Sequence, residues 1–163
     1  MNNYAYEVVR LLTEKKMKIA TAESCTGGMI AEMITDISGA SSVFDCGIVS
    51  YSNRIKNSLL GVSEETLRTY GAVSEETVRE MVSGALRVSG ADIAVAVSGI
   101  AGPSSDGTDK PVGLIYIAVA TKEKTYIKKL NNSFSVNIRE NNRNSAANEA
   151  LKLVCEILDN KAV

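Results

Sequence analysis

The sequence predicts an α/β layered domain. Three observations carry this expectation: amphipathic helical segments alternate with short apolar runs, those runs are too short to be helices, and one pair of them is joined by a tight polar turn. The 163 residues suit one compact domain spanning 1–163, and no Pro- or Ser-rich linker divides them.

Residues 3–15 have helical spacing, with Tyr4, Val8, Leu11 and Leu12 on one face. Residues 17–22 read as a short strand. The segment from Ser24 to Ile37 begins with cap-type residues and becomes helical, with Ile30, Met33 and Ile34 inward. Phe44 to Tyr51 reads as a second strand, and a helix follows from Asn53 to Leu60, ended by Gly61. Ser-Glu-Glu-Thr occurs at Ser63 and again at Ser74; both copies read as helix starts, a serine cap followed by glutamates in the first turn. The clearest helix is Glu75 to Ser89, with Val78, Met81, Val82, Ala85 and Leu86 inward and Gly90 closing it. Ile93–Val97 reads as a buried strand. Val112–Ala120 and Thr125–Leu130 read as two more, joined antiparallel through the Lys122–Lys124 turn. The last helix runs from about Arg139 to Leu158, with Ala146, Ala147, Ala150, Leu151, Val154 and Leu158 inward.

Composition excludes whole classes of chemistry. The chain contains no histidine, which removes Ser-His-Asp and Cys-His nucleophile pairs and every zinc or proton-shuttle motif built on His. Acid–base work near neutral pH falls to Lys, Tyr, Asp, Glu or Cys. The three cysteines, Cys25, Cys46 and Cys155, form no CxxC pair, and neither a metal nor a cofactor is expected. Eighteen basic against nineteen acidic residues give no overall electrostatic case for nucleic acid. The longest apolar stretch, nine residues, is too short for a bilayer, and the N-terminus lacks the basic start and apolar core of a signal peptide. A cytoplasmic protein without membrane contact is expected. A homodimer is expected only on the base rate for small α/β enzymes.

Three segments could carry chemistry, each where an apolar strand ends. Ligands collect at the carboxyl ends of strands in open α/β sheets. The first is Ala22-Glu23-Ser24-Cys25-Thr26-Gly27-Gly28. Amides at a helix start suit a phosphate, a carboxylate or a developing oxyanion, and the two glycines permit close approach; the bland reading is a plain N-cap. The second is Tyr51-Ser52-Asn53-Arg54-Ile55-Lys56. A lysine becomes a general base when burial or a nearby cation depresses its pKa. Without histidine, a Ser–Lys pair is the economical way to activate a serine, and Tyr51 could relay a proton or orient either group. On an isolated helix the same lysine is a solvated surface charge. The third is Ser98-Gly99-Ile100-Ala101-Gly102-Pro103, a small-residue lip for a pocket or else a flexible connection. Cys25 reads as a small wall residue, since no cationic partner is evident for it. Arg139 and Arg143, one turn apart at the start of the last helix, could hold a phosphate. There is no GxGxxG after the first strand and no P-loop pattern.

Thr21–Gly28, Tyr51–Lys56 with Leu60-Gly61-Val62, Gly71–Glu75, Ser98–Pro103 and Lys110–Gly113 together resemble the C-terminal domain family of the competence/damage-inducible CinA proteins, in the pattern of its stand-alone nicotinamide-nucleotide amidases. The resemblance covers nearly the whole chain. It implies a three-layer α/β/α sandwich with a mixed, mainly parallel five-stranded sheet. It implies hydrolysis of the carboxamide of nicotinamide mononucleotide to nicotinic acid mononucleotide and ammonia, a salvage step in pyridine nucleotide metabolism. Carried over residue by residue, it makes Ser24 the nucleophile, Lys56 the base and Tyr51 the supporting tyrosine. Substrate contacts fall on Cys25, Thr26, Gly27, Gly28, Asn53, Ser98, Gly99, Gly102 and Arg139. Ser98 stands where many relatives have Thr. Ser104-Ser105-Asp106-Gly107-Thr108 replaces the usual glycine pair, and Phe134–Arg139 lacks the family glycine. The alternative reading is a non-catalytic nucleotide-binding or regulatory domain on the same scaffold.

Overall fold

The computed structural model describes residues 3–160. Its elements in chain order are α1 (Tyr4–Lys15), β1 (Ile19–Glu23), α2 (Met29–Thr35), β2 (Phe44–Val49), α3 (Asn53–Leu60), α4 (Glu64–Tyr70), α5 (Glu75–Ser89), β3 (Ile93–Gly99), β4 (Leu114–Thr121), β5 (Thr125–Asn131) and α6 (Ile138–Leu158). The strands form one sheet in the order β2-β1-β3-β4-β5. β1 pairs parallel with β2 and β3, while β4 runs antiparallel to both β3 and β5. Four strands therefore point one way and β4 alone opposes them, which is the mixed sheet expected.

Strand alternation divides the core into two layers with different side chains. Ile19, Ile93, Val95, Val97, Ile115, Ile117 and Val119 face one side and pack against α1, α2 and α6. The opposite face is lined with Ala20, Ala22, Ala94, Ala96, Ala118 and Ala120, against Leu60 of α3 and Val78, Met81, Val82 and Ala85 of α5. Alanines on that face let α5 lie close to the sheet, leaving a shallow layer through which a long side chain from α3 can reach the strand ends.

Helix limits follow local chemistry. Ser52, Ser63 and Ser74 each accept a hydrogen bond from the amide three residues on, so both Ser-Glu-Glu-Thr segments are helix starts. Gly61 and Gly90 close α3 and α5 in the left-handed conformation. Two strand starts differ from expectation. β1 begins at Ile19 because Lys16 (φ 55°) closes α1 and the chain must turn first. β4 begins at Leu114 because Gly113 (φ 90°) passes hard against the next strand's exit; a Cβ there would lie 2.1 Å from the Asn132 carbonyl oxygen.

Gly84 is where α5 crosses the end of α3. A Cβ on it would stand 1.9 Å from the Leu60 carbonyl oxygen. Gly84→Ala should therefore lower stability by about 1–3 kcal/mol through overpacking, although alanine is ordinarily the better helix former. Thermal denaturation tests this: a fall of about 2–10 °C in Tm is expected, and a rise would show that the crossing has room to spare.

Candidate active site

The candidate residues gather where β1, β2 and β3 end. Ser24 follows the last residue of β1 with the same parity as Ala20 and Ala22, so it turns toward the face that carries α3. Its amide donates to the Val97 carbonyl (3.0 Å), and the Ser50 amide donates to that of Glu23 (2.8 Å), which ties the three strand ends together. Lys56 lies one turn before Leu60 on the buried side of α3. Its Nζ stands 2.9 Å from Ser24 Oγ and 2.8 Å from the Ser50 carbonyl oxygen, to which it donates.

Lys56 is only 1% exposed. Burial pushes its ammonium down from 10.5 to about 8, opposed by the neighbouring Cys25. The Cys25 thiol moves the other way, raised by burial to about 12, and so stays protonated near neutral pH. Of the two adjacent candidate nucleophiles, the serine is the one hydrogen-bonded to the lysine among the described residues.

A cavity of about 200 Å³ opens above this pair. Ser24, Cys25, Lys56, Tyr51, Ser98, Gly99, Ala101, Asp106 and Arg139 are among its walls. Ser98 shares the parity of Ala94 and Ala96; its hydroxyl donates to the Ala72 carbonyl (2.7 Å). Tyr51 is 61% exposed at the rim, where its hydroxyl accepts from Arg139 Nη2 (3.0 Å). The other arm of Arg139 donates to the Gly102 carbonyl (3.0 Å). Gly102, at φ 80°, runs against Val112; a Cβ would sit 2.4 Å from its Cγ1. Gly99 pairs with Ile115 of β4, and a Cβ on it would sit 2.6 Å from Ile115 Cγ1.

Several predicted contacts lie elsewhere. Asn53 is exposed and lines a separate groove with Asn57, Leu67 and Arg68, between α3 and α4. Thr26 is fully buried below the cavity, and Gly28 lies at the start of α2 beside Val49. The expectation of open amides along that helix start is corrected. Glu23, 1% exposed, folds back over it and accepts from the amides of Gly28 (3.1 Å), Ile30 (3.0 Å) and Ala31 (2.9 Å). The Gly27 amide donates to the Ser24 carbonyl (3.1 Å). A carboxylate of the protein's own thus fills the anion site that the sequence left open.

Sequence reasoning also missed Ser50 as a lysine partner and Lys110 as a strut. Lys110 Nζ donates to the carbonyls of Tyr70 (2.5 Å) and Val73 (2.6 Å), fixing the loop that meets Ser98. No local pattern announces either contact.

A family model for the CinA C-terminal domain matches residues 1–158. This chain belongs to the CinA C-terminal domain family. A CinA-like protein of Chlorobium phaeobacteroides is 57% identical over 116 residues, 71% of this chain and 27% of that protein. The chain spans 27–30% of the length of the CinA relatives it matches. Two solved structures match almost end to end. The competence/damage inducible protein of Agrobacterium tumefaciens has TM-score 0.88 and 37% identity, covering 98% of this chain and 97% of that one. The competence damage-inducible protein A of Klebsiella pneumoniae has TM-score 0.92 and 35% identity, covering 98% of each. The CinA fold is thus shown together with the family.

The depressed Lys56 makes a stability prediction. Its folded pKa of about 8 lies below its unfolded 10.5. Between these values the unfolded chain binds more protons, so stability rises with pH across that window and the full penalty, roughly 3 kcal/mol, holds below pH 8. Lys56→Met removes the penalty but leaves the Ser50 carbonyl without its donor, a loss of about 1–3 kcal/mol. The variant should match or exceed the parent's Tm at pH 7, with the difference moving in the parent's favour from pH 8 to 10. A Tm several degrees below the parent's at pH 7 would mark Lys56 as a structural cation.

Proposed function

We propose that this domain is a serine amidase that hydrolyses the carboxamide of nicotinamide mononucleotide, with Ser24 as nucleophile and Lys56 as general base. The observation that carries the reading is the 2.9 Å approach of a buried, pKa-depressed lysine to a serine at the floor of a cavity. Such a pair meets the geometric and acid–base requirements of an activated nucleophile.

In the proposed reaction neutral Lys56 accepts the Ser24 hydroxyl proton as Oγ attacks the carboxamide carbon. The resulting alkoxide is held by the Cys25 amide, which follows Ser24. Collapse breaks the C–N bond, and protonated Lys56 gives its proton to the departing nitrogen, releasing ammonia. Water, deprotonated by the same amine, then attacks the ester on Ser24. The carboxylate product leaves and the serine regains its proton. The Ser50 carbonyl holds Nζ in place through both half-reactions, and the protonated Cys25 thiol adds no competing anion.

The cavity's size bears on the substrate. About 200 Å³ is below the 300–1,000 Å³ typical of pockets that enclose a drug-sized ligand. It suits the pyridine carboxamide, with ribose and phosphate extending past the rim toward Arg139. The same observation, together with the Asp106 carboxylate on the wall, favours the second reading, a nucleotide-binding domain without turnover.

Ammonia release from nicotinamide mononucleotide, measured for the parent and Ser24→Ala, separates the two. The amidase reading requires release by the parent and loss in the variant; binding without release supports the second. Lys56→Ala should lose about 10²–10⁴-fold in kcat. In the parent, kcat/KM should rise with pH and level off above about 8, where Lys56 becomes neutral. A profile falling through that range would exclude Lys56 as the base.

A further inference from the structure

The serine and its base are accounted for, but the turn that follows the serine needs an external hold. Residues 24–28 form neither strand nor helix. Three of the amides there are already engaged, Ser24 with the Val97 carbonyl, Gly27 with the Ser24 carbonyl and Gly28 with Glu23. Thr26 is fully buried outside the cavity wall, whereas Cys25 lines the cavity and its amide meets only its own thiol among the described residues. An anionic oxygen formed beside Ser24 would find the Cys25 amide there.

A peptide N–H and the C=O of the same unit point in opposite directions. Whatever fixes the carbonyl therefore aims the amide. The Ser24 carbonyl is fixed by the Gly27 amide, which directs the Cys25 N–H the other way. The Cys25 carbonyl, whose unit carries the Thr26 N–H, accepts from Arg143 Nε (3.2 Å), and the Thr26 carbonyl accepts from Arg143 Nη2 (2.9 Å). One guanidinium, reaching from α6 to a turn 118 residues away in sequence, holds two successive peptide units. A planar fork does this and a single ammonium does not. Arg143 is half-buried and does not line the cavity, so it is not placed as a phosphate ligand there.

We propose that Arg143 is a positioning residue for the oxyanion site, holding the turn after the nucleophile so that the Cys25 amide faces the alkoxide formed during amide hydrolysis. The proposal rests on the amidase reading. It separates two arginines one turn apart: Arg139 borders the cavity, and Arg143 acts through the backbone.

The kinetic signature follows from where the interaction acts. A misaimed amide weakens the transition state and leaves the ground state nearly unchanged. Arg143→Lys and Arg143→Ala are compared with the parent for ammonia release from nicotinamide mononucleotide, alongside Tm. The expected result is a fall in kcat of about 10²-fold for the alanine variant, approaching that of losing an oxyanion donor, with KM within about threefold. The lysine variant should recover little, and added guanidinium ion should restore part of the alanine variant's kcat. A KM rise with kcat intact would make Arg143 a substrate ligand, and a lowered Tm with kcat intact would make it a structural strut; either overturns the proposal. If Arg143→Ala does not fold, the lysine variant decides on the same split. A parent that releases no ammonia overturns the amidase reading and this inference together, an outcome distinct from an active parent with active variants.

Discussion

The site depends on keeping a lysine out of water. An ammonium without solvent is costly, and the fold meets that cost by allowing the amine to lose its proton near pH 8. The surrounding architecture serves this condition. Alanines on one face of the sheet thin the layer under α3, Ser52 and Gly61 fix both ends of a two-turn helix, and Lys56 reaches the ends of β1 and β2, where Ser24 and the Ser50 carbonyl await it. An acidic partner at the same spot would hold the lysine charged and useless as a base. Glu23, one residue from Ser24, points to the opposite face, where α2 absorbs its charge through three amides.

Parity along β1 thus performs a separation that the linear motif hides. Glu23 and Ser24 are neighbours in sequence, but strand alternation sends the carboxylate to one layer and the hydroxyl to the other. The carboxylate becomes a helix cap and the hydroxyl a partner for Lys56. A one-residue slip of β1 would exchange them, place a buried carboxylate beside the lysine and end any nucleophile activation. The parallel register of β1 with β2 and β3, extended by the Ser50 and Ser24 amide contacts, prevents that slip.

Most of the fold was legible because its signals are local. Ser-Glu-Glu-Thr repeated at Ser63 and Ser74 marks two caps, the apolar spacing from Val78 to Leu86 marks the inner face of α5, and the Lys122–Lys124 turn marks the hairpin. The site was legible only as separate pieces. Nothing in the spacing of Asn53 and Lys56 says that one faces solvent beside α4 while the other is buried; that depends on how α3 meets α5. Glu23 caps a helix from five to eight residues away, outside any capping-box spacing, so its destination could not be read. Arg139 and Arg143 look alike as a pair one turn apart. Their different duties follow from contacts with Gly102 and with the Cys25 and Thr26 carbonyls, all far off in sequence.

The direct measurement is the ionisation of Lys56 itself, followed by NMR on protein carrying isotope-labelled lysine side chains, with Lys56→Met to assign the resonance. One lysine should titrate near pH 8 and be absent from the variant. A Lys56 resonance that titrates near the ordinary 10.5 would show a lysine charged at working pH and unable to take the serine proton, and Lys56 would not be the base.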